Sequence, residues 1–295
     1  MTVSVRTLAG LIVVGIGTLI GPLDSAVNIA FPDITGSFGL PLRMIQWVVV
    51  CYVLTYASLM LVFGKLGDLF GYKRIFLAGL LVSGGALLLC ALAPAFGWLL
   101  FFRFLQGIGT ALVLSCGPAL ATSLFPESER SRVLGAYTMM FAIGSALGPF
   151  LGGFLVEVFD WRAVFWFRVP IALLAFALLR TLPDAPKRGG RGTFDLLGAA
   201  LLAASLAALL LALNFAARAE AGWAEALALA LVAVLGFAAF AWRERRFAEP
   251  LIRLEVFRNL DFTVLNLANA VLNLVAFSVL LLVPYFLVRA TDLSL

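Results

Sequence analysis

The chain has no histidine, only three cysteines, and charged side chains at just 13% of its 295 positions. Without imidazole, the usual proton shuttle near neutral pH and most zinc sites are excluded. Cys51, Cys90 and Cys116 lie far apart within apolar runs and read as small hydrophobes, not as a metal or redox set. Neither H-E-x-x-H nor G-x-S-x-G occurs, so no nucleophile with a partnered base can be assembled, and an enzyme is not expected. No metal and no cofactor is expected either. A soluble globular chain carries roughly 25% charged and roughly 45–50% apolar residues. Here 63% are hydrophobic and the mean hydropathy is +1.08. A core of this size cannot hide so much apolar surface, so the surrounding medium is lipid. The fold class that follows is an all-α polytopic membrane protein.

A helix needs about 20 apolar residues to cross a hydrocarbon core roughly 30 Å thick. Nine stretches qualify, near 8–31, 44–64, 75–95, 98–123, 133–159, 162–182, 194–216, 222–242 and 261–288. Between Ile75 and Pro126 only Arg103 is charged, and one helix of that length would be about 78 Å long, more than two membrane thicknesses. A turn is therefore expected at Pro94–Gly97. Arg6 before the first apolar stretch resembles the start of a secretory signal, but no small-x-small cleavage site follows, so the stretch is read as a membrane helix.

Lysines and arginines set the direction. With the N-terminus inside, fifteen of the 21 fall on the inner side, four on the outer side (Arg43, Arg162, Arg218, Arg289), and Arg103 and Arg168 lie within spans. The N-terminus is thus expected in the cytoplasm, and the net charge of +5 reflects loops beside an anionic leaflet rather than nucleic-acid binding.

Between the second and third spans runs Gly64-Lys65-Leu66-Gly67-Asp68-Leu69-Phe70-Gly71-Tyr72-Lys73-Arg74. So short a connection needs glycine where the chain turns tightly or backbones approach. The stretch resembles the G-x-L-x-D-x-x-G-x-K/R signature of the major facilitator superfamily, and the resemblance makes Gly64, Asp68, Gly71, Lys73 and Arg74 a conformational gate. Leu99-x-x-x-Arg103-x-x-Gln106-Gly107-x-Gly109 looks like the superfamily's fourth-helix motif. Gly144, Gly148, Pro149, Gly152 and Gly153 on the fifth span look like its antiporter motif; the glycines permit close packing and Pro149 frees a carbonyl and favours a kink. Leu23-Asp24-Ser25-Ala26-Val27-Asn28-Ile29-Ala30-Phe31-Pro32 resembles the first-helix motif of the fourteen-span drug:proton antiporter branch, which carries two extra helices between its six-helix halves.

The resemblance implies a six-helix N-terminal bundle over 1–182, a cytoplasmic linker at 183–193, and two extra peripheral helices over 194–242. A second cytoplasmic linker at 243–260 then leads to 261–295, the first helix of an incomplete C-terminal half. The function it implies is secondary active transport, with proton-coupled efflux of small amphipathic molecules or drugs by alternating access, driven by the proton gradient. A facilitator or symporter of a small metabolite, or a non-transporting truncated remnant, are the alternatives. The expected setting is the plasma (inner) membrane, the expected partners are lipid and a small-molecule substrate, and a monomer is the expected state. Departures are visible. Asp24 and Asn28 are one position closer than usual, Leu69 and Tyr72 stand where basic residues are common, and Arg168 precedes Val169-Pro170 where asparagine is common. Nine spans stand where the branch has fourteen, so a fragment is expected.

An ionisable residue inside a span is costly and marks function by default. Counting at 1.5 Å per residue places Asp24, Arg103 and Arg168 each about 10 Å below the outer surface, in one layer. Burial favours a protonated carboxyl and a nearby guanidinium the ionised form, so a changing Asp24–Arg103 distance would swing proton affinity. Asp24 and Arg103 are therefore expected to couple protons, with a purely structural pair as the alternative. Glu157 is a candidate second acid in the layer. Asn28, one turn from Asp24, and Gln106 and Arg168 are expected in the substrate cavity. Asn266, Asn269 and Asn273 share one face of the last span, where amides facing lipid would be unsatisfied, and are expected there too.

This topology predicts that cysteines introduced at Tyr72 and Thr291 react from opposite sides of the membrane. Labelling of both from one side would end it.

Overall fold

The computed structural model describes residues 5–181, 193–216, 222–247, 250–252 and 254–291. The linker expected at 183–193 lies almost wholly outside the described residues, as do parts of 243–260 and the C-terminal Leu295. Twelve α-helices are formed among the described residues: α1 (Val5–Leu19), α2 (Ala26–Ile29), α3 (Phe31–Ser37), α4 (Gln46–Phe70), α5 (Tyr72–Ala91), α6 (Phe96–Ser123), α7 (Arg130–Val158), α8 (Ala163–Trp166), α9 (Arg168–Thr181), α10 (Leu196–Ala216), α11 (Trp223–Glu244) and α12 (Leu260–Thr291). Eight segments are long and apolar enough to cross a membrane, and they coincide with the first eight expected spans. The ninth corresponds to α12, a continuous helix of 32 residues. Large apolar side chains cover the outside, Phe150 among them at 76% exposure, as a lipid-facing surface requires.

The first expected span is not one helix. Pro22 lacks an N–H and its ring excludes the carbonyl four residues back, so α1 ends at Leu19. Gly21 N–H turns back to the Thr18 carbonyl (3.2 Å), and Pro22–Ser25 continue as a 3-10 turn carrying Asp24 into α2. Pro170 acts similarly on the sixth span: α8 stops at Trp166, four residues before it, and α9 opens on Arg168. The turn expected at Pro94–Gly97 lies slightly earlier, at Leu92–Ala95, with Gly97 already in the first turn of α6.

The stretch 64–74, read as a loop, is mostly helical. α4 runs on to Phe70 because its polar last turns leave the hydrocarbon without losing helical hydrogen bonds. The reversal rests on Gly71 alone, at φ +96°, a conformation that side chains rarely tolerate. The Tyr72 hydroxyl donates to Asp68 across that break, Lys73 is buried, and Arg74 is exposed. Gly64 has open space where a side chain would start; the packed glycine is Gly67, facing Cys116 Sγ and the Tyr72 ring.

Residues 1–240 form one compact unit, centred on α6, which packs against α4 on one side and α5 on the other. Small residues set those distances. A side chain at Gly107 would strike the Tyr52 carbonyl and Thr55 of α4, and one at Gly109 would strike the Ser83 backbone of α5. α10 packs on α4, and α11 meets α10 where Gly236 faces Ser205. Residues 241–295 form a second unit, in which the Glu244 carboxylate accepts the Ile252 N–H (2.6 Å).

Along α7, Gly144, Gly148 and Gly152 repeat every four residues and receive Pro22, Ser25 and Ala26 in turn. Gly153 does not share this face: nothing lies within 4 Å of the place its Cβ would take. Its assignment to motif packing is thereby corrected, since one residue is a rotation of about 100° on a helix. α7 continues unbroken through Pro149. Having no N–H, Pro149 leaves the Ser145 carbonyl without its helical donor, and Ser25 Oγ supplies one (3.3 Å) while also donating to the Pro22 carbonyl (2.9 Å).

At Gly152 an added methyl would sit 2.7 Å from the Ala26 carbonyl oxygen. Gly152→Ala is expected to lower stability by about 1–3 kcal/mol, whereas Gly153→Ala is expected to be neutral. Thermal unfolding in detergent checks the contrast.

Candidate functional site

The 3-10 turn Pro22–Ser25 turns the Asp24 carboxylate into the bundle, where α6 and α9 supply donors. Arg103 grips it with both ends of its fork, Nη1 to Oδ1 and Nη2 to Oδ2, each at 2.7 Å. Gln106 Nε2 donates to Oδ1 (3.0 Å), and Arg168 Nη1 donates to the same oxygen (2.8 Å). Asp24 thus accepts four hydrogen bonds, three of them from guanidinium N–H groups.

Each arginine is in turn held by the scaffold. Arg103 Nε donates to the Val48 carbonyl of α4 (2.9 Å), Nη1 reaches Gln106 Oε1 (2.7 Å), and the guanidinium lies 4.3 Å from the centre of the Tyr52 ring. The close α4–α6 approach at Gly107 brings that carbonyl and ring within reach. Arg168 Nε bonds the Val164 carbonyl (3.1 Å) across the α8–α9 break, and Nη1 also approaches the Ile20 carbonyl (3.4 Å), which lies in the interruption of the first span. The two proline-broken helices therefore meet in one ionic cluster. The arginine side chains are sealed, at 1% and 0% exposure, while Asp24 keeps 12%. Among the three ionic side chains, the carboxylate is the exposed one.

The structure thus brings together Asp24, Arg103, Gln106 and Arg168. Asn28 is not with them. Asp24 lies in the 3-10 turn and Asn28 in α2 beyond it, where Asn28 is exposed. Glu157 is exposed near the end of α7 and contributes no second acid to the cluster. Asn266, Asn269 and Asn273 lie in the second unit and are exposed. Two of their amides find acceptors on their own helix: Asn266 donates to the Phe262 carbonyl (2.8 Å) and Asn273 to the Asn269 carbonyl (2.8 Å) and side chain (3.1 Å). Sequence reasoning missed Tyr52, the Val48 carbonyl and Ser25. An arginine fork has more donors than one carboxylate can accept, which signals further acceptors without saying where they lie. Among the described residues no group of three or more His, Cys, Asp or Glu side chains could hold a metal.

A bundle of spanning helices broken at prolines around a largely buried charge cluster defines a membrane protein whose interior is built for something other than packing. Residues 13–293 match the Major Facilitator Superfamily, and the chain belongs to that family. It is therefore a multi-pass membrane protein of a family of transporters, not enzymes, with lipid around it. Over 286 residues it is 32% identical to the riboflavin transporter RibZ of Clostridioides difficile, covering 96% of this chain and 61% of RibZ. It is 38% identical to the puromycin resistance protein pur8 of Streptomyces alboniger, over 82% of this chain and 48% of that protein. The multidrug transporter protein MdtP of Bacillus subtilis is 30% identical, over 88% of this chain and 48% of its own length. The chain thus spans about half to three-fifths of the curated relatives it matches. The fold is similar to a crystal structure of a bacterial homolog of the human lysosomal transporter Spinster, inward-facing and unoccupied. The TM-score is 0.56 at 20% identity, with 86% of this chain and 66% of that one covered.

Proposed function

We propose that the chain is part of a secondary active transporter that exports small amphipathic molecules in exchange for protons, with Asp24 as the proton-carrying group. One observation carries the reading. Among the described residues, Asp24 is the acid set more than one turn inside a span, and its carboxylate is at once pinned by two guanidiniums and open at one edge. A group that only cross-linked helices would gain nothing from that opening. A group that exchanges protons needs it. Relatives named as multidrug and resistance proteins support the same reading. Alternating access then rests on the first span, whose interruption at Ile20–Pro22 lets the Asp24 turn move against α6 and α9. The tight reversal at Gly71 serves as the inner gate, and a second set of helices completes the substrate path. The proton gradient is the only driving force required, the N-terminus lies in the cytoplasm, the setting is the plasma membrane, and the unit is a monomer.

One observation favours a second reading, same-direction movement of a proton with a small metabolite. Two arginines face one acid, and such a cluster binds a proton and an anion together more readily than it exchanges one for the other.

Transport driven by an imposed pH gradient, measured in vesicles holding the native polypeptide that carries these residues, tests the proposal. Asp24→Asn is expected to insert but to lose the pH dependence. Pairing it with Arg103→Gln removes the stranded charge and is expected to recover thermal stability but not coupling. Unchanged pH dependence in Asp24→Asn, or coupling regained in the pair, would refute Asp24 as the proton site.

A further inference from the structure

The ionic cluster does not balance. Two guanidiniums face one carboxylate, so the buried charge is positive when Asp24 is ionised and more so when it is protonated. Among the described residues, nothing nearby corrects this. The titratable groups facing the cluster are Tyr52 and Tyr56 on α4 and Cys90 on α5, near Asp24, and Cys51 on α4, near Arg103, all neutral near neutral pH. The acids toward the same end, Asp33, Glu157 and Asp160, are exposed, and Asp160 pairs with Arg162 at 3.7 Å.

The geometry shows where the imbalance lies. Arg103 spends Nε, Nη1 and Nη2 on acceptors at 2.7–2.9 Å. Arg168 uses Nε and Nη1, while its Nη2, fully buried, has no acceptor among the described residues. A buried charged donor without a partner is expensive, and it stands beside the one acid that is open at an edge.

We propose that Arg168 is a recognition residue for an anionic group on the substrate, a carboxylate or a comparable oxyanion that reaches the cluster past the exposed edge of Asp24. The inference rests on reading the cluster as the proton and substrate site. A planar guanidinium with a free Nη2, and with an Nη1 shared between Asp24 (2.8 Å) and a long contact to the Ile20 carbonyl (3.4 Å), offers the two parallel donors that a carboxylate accepts. The incoming anion competes with Asp24 for Nη1, so its binding draws a proton onto Asp24. That joint binding of proton and anion is what same-direction movement uses, and for an anionic substrate it favours the second reading over exchange. A cation meets the opposite situation. At about 7 Å, with an effective dielectric of about 20, one uncompensated positive charge disfavours it by roughly 50-fold.

Titration calorimetry on the native polypeptide that carries these residues, purified in detergent, with benzoate, benzamide and benzylammonium as probes, tests this. No benzoate binding at all would overturn it. Benzoate is expected to bind at least about tenfold more tightly than the other two. Arg168→Gln is expected to weaken benzoate by about tenfold or more and to erase the discrimination. Arg168→Lys, which keeps the charge but not the fork, is expected to retain part of it, separating loss of recognition from loss of fold. Benzoate affinity unchanged in Arg168→Gln, or benzamide binding as well as benzoate, would overturn the proposal. Repeating the benzoate titration in buffers of different ionisation heat reads the proton. Uptake that disappears in Asp24→Asn supports both assignments. Arg168-dependent binding with no proton uptake supports the anion site and refutes Asp24 as the proton acceptor, so the two failures are distinguishable.

Discussion

A carboxylate buried among apolar helices has to be surrounded by donors, and the helices have to be arranged to deliver them. The constraint runs outward from Asp24. Its four hydrogen bonds come from two helices besides its own, so α6 and α9 must approach the first span to within side-chain reach at one depth. Arg103 must in turn find acceptors for its remaining donors, which ties α4 in through the Val48 carbonyl and the Tyr52 ring. Four of the six N-terminal spans are thus committed by one ionic group. Close packing elsewhere serves the same end: Gly107 exists as glycine because a Cβ there would push α4, and with it Val48, away from Arg103.

Proline determines where backbone is available. In lipid every broken helical hydrogen bond has to be satisfied by the protein itself. The break before Pro22 leaves the Ile20 carbonyl to approach Arg168, and the break before Pro170 leaves the Val164 carbonyl to Arg168 Nε. Pro149 frees the Ser145 carbonyl, which Ser25 Oγ takes up from the residue beside Asp24. Three prolines on three spans therefore converge on a few residues around the acid. The site and the interruptions are one feature, and the interrupted part of the first span is also the part that carries the charge.

Much of this was legible in the sequence, and the rest was not for identifiable reasons. Helix count and depth follow from hydropathy, from the distribution of Lys and Arg, and from a fixed rise per residue, so counting placed Asp24, Arg103 and Arg168 in one layer. Rotation about each axis is harder. It depends on regular helical turns, and the first span changes from α-helix to a 3-10 turn at Pro22–Ser25, which carries Asp24, before the short helix that carries Asn28. One residue of rotation likewise separates Gly152, packed on Ala26, from Gly153, which faces open space. The stretch 64–74 looked like a loop because polarity was taken to end the helix, whereas polar residues continue it outside the lipid. Tyr52 and the Val48 carbonyl carried no signal, since an aromatic ring and a backbone oxygen in an apolar helix look like any others.

The central claim is that both arginines hold Asp24 within the membrane. Solid-state NMR dipolar recoupling on the chain in bilayers, between the labelled Asp24 Cγ and the arginine Nη atoms, measures it directly. Arg103→Lys and Arg168→Lys samples assign the two signals. The account predicts a distance of about 3.5 Å to an Nη of each arginine, as a hydrogen-bonded guanidinium–carboxylate contact requires. A distance beyond about 6 Å to either one, too long for any direct hydrogen bond, would contradict it.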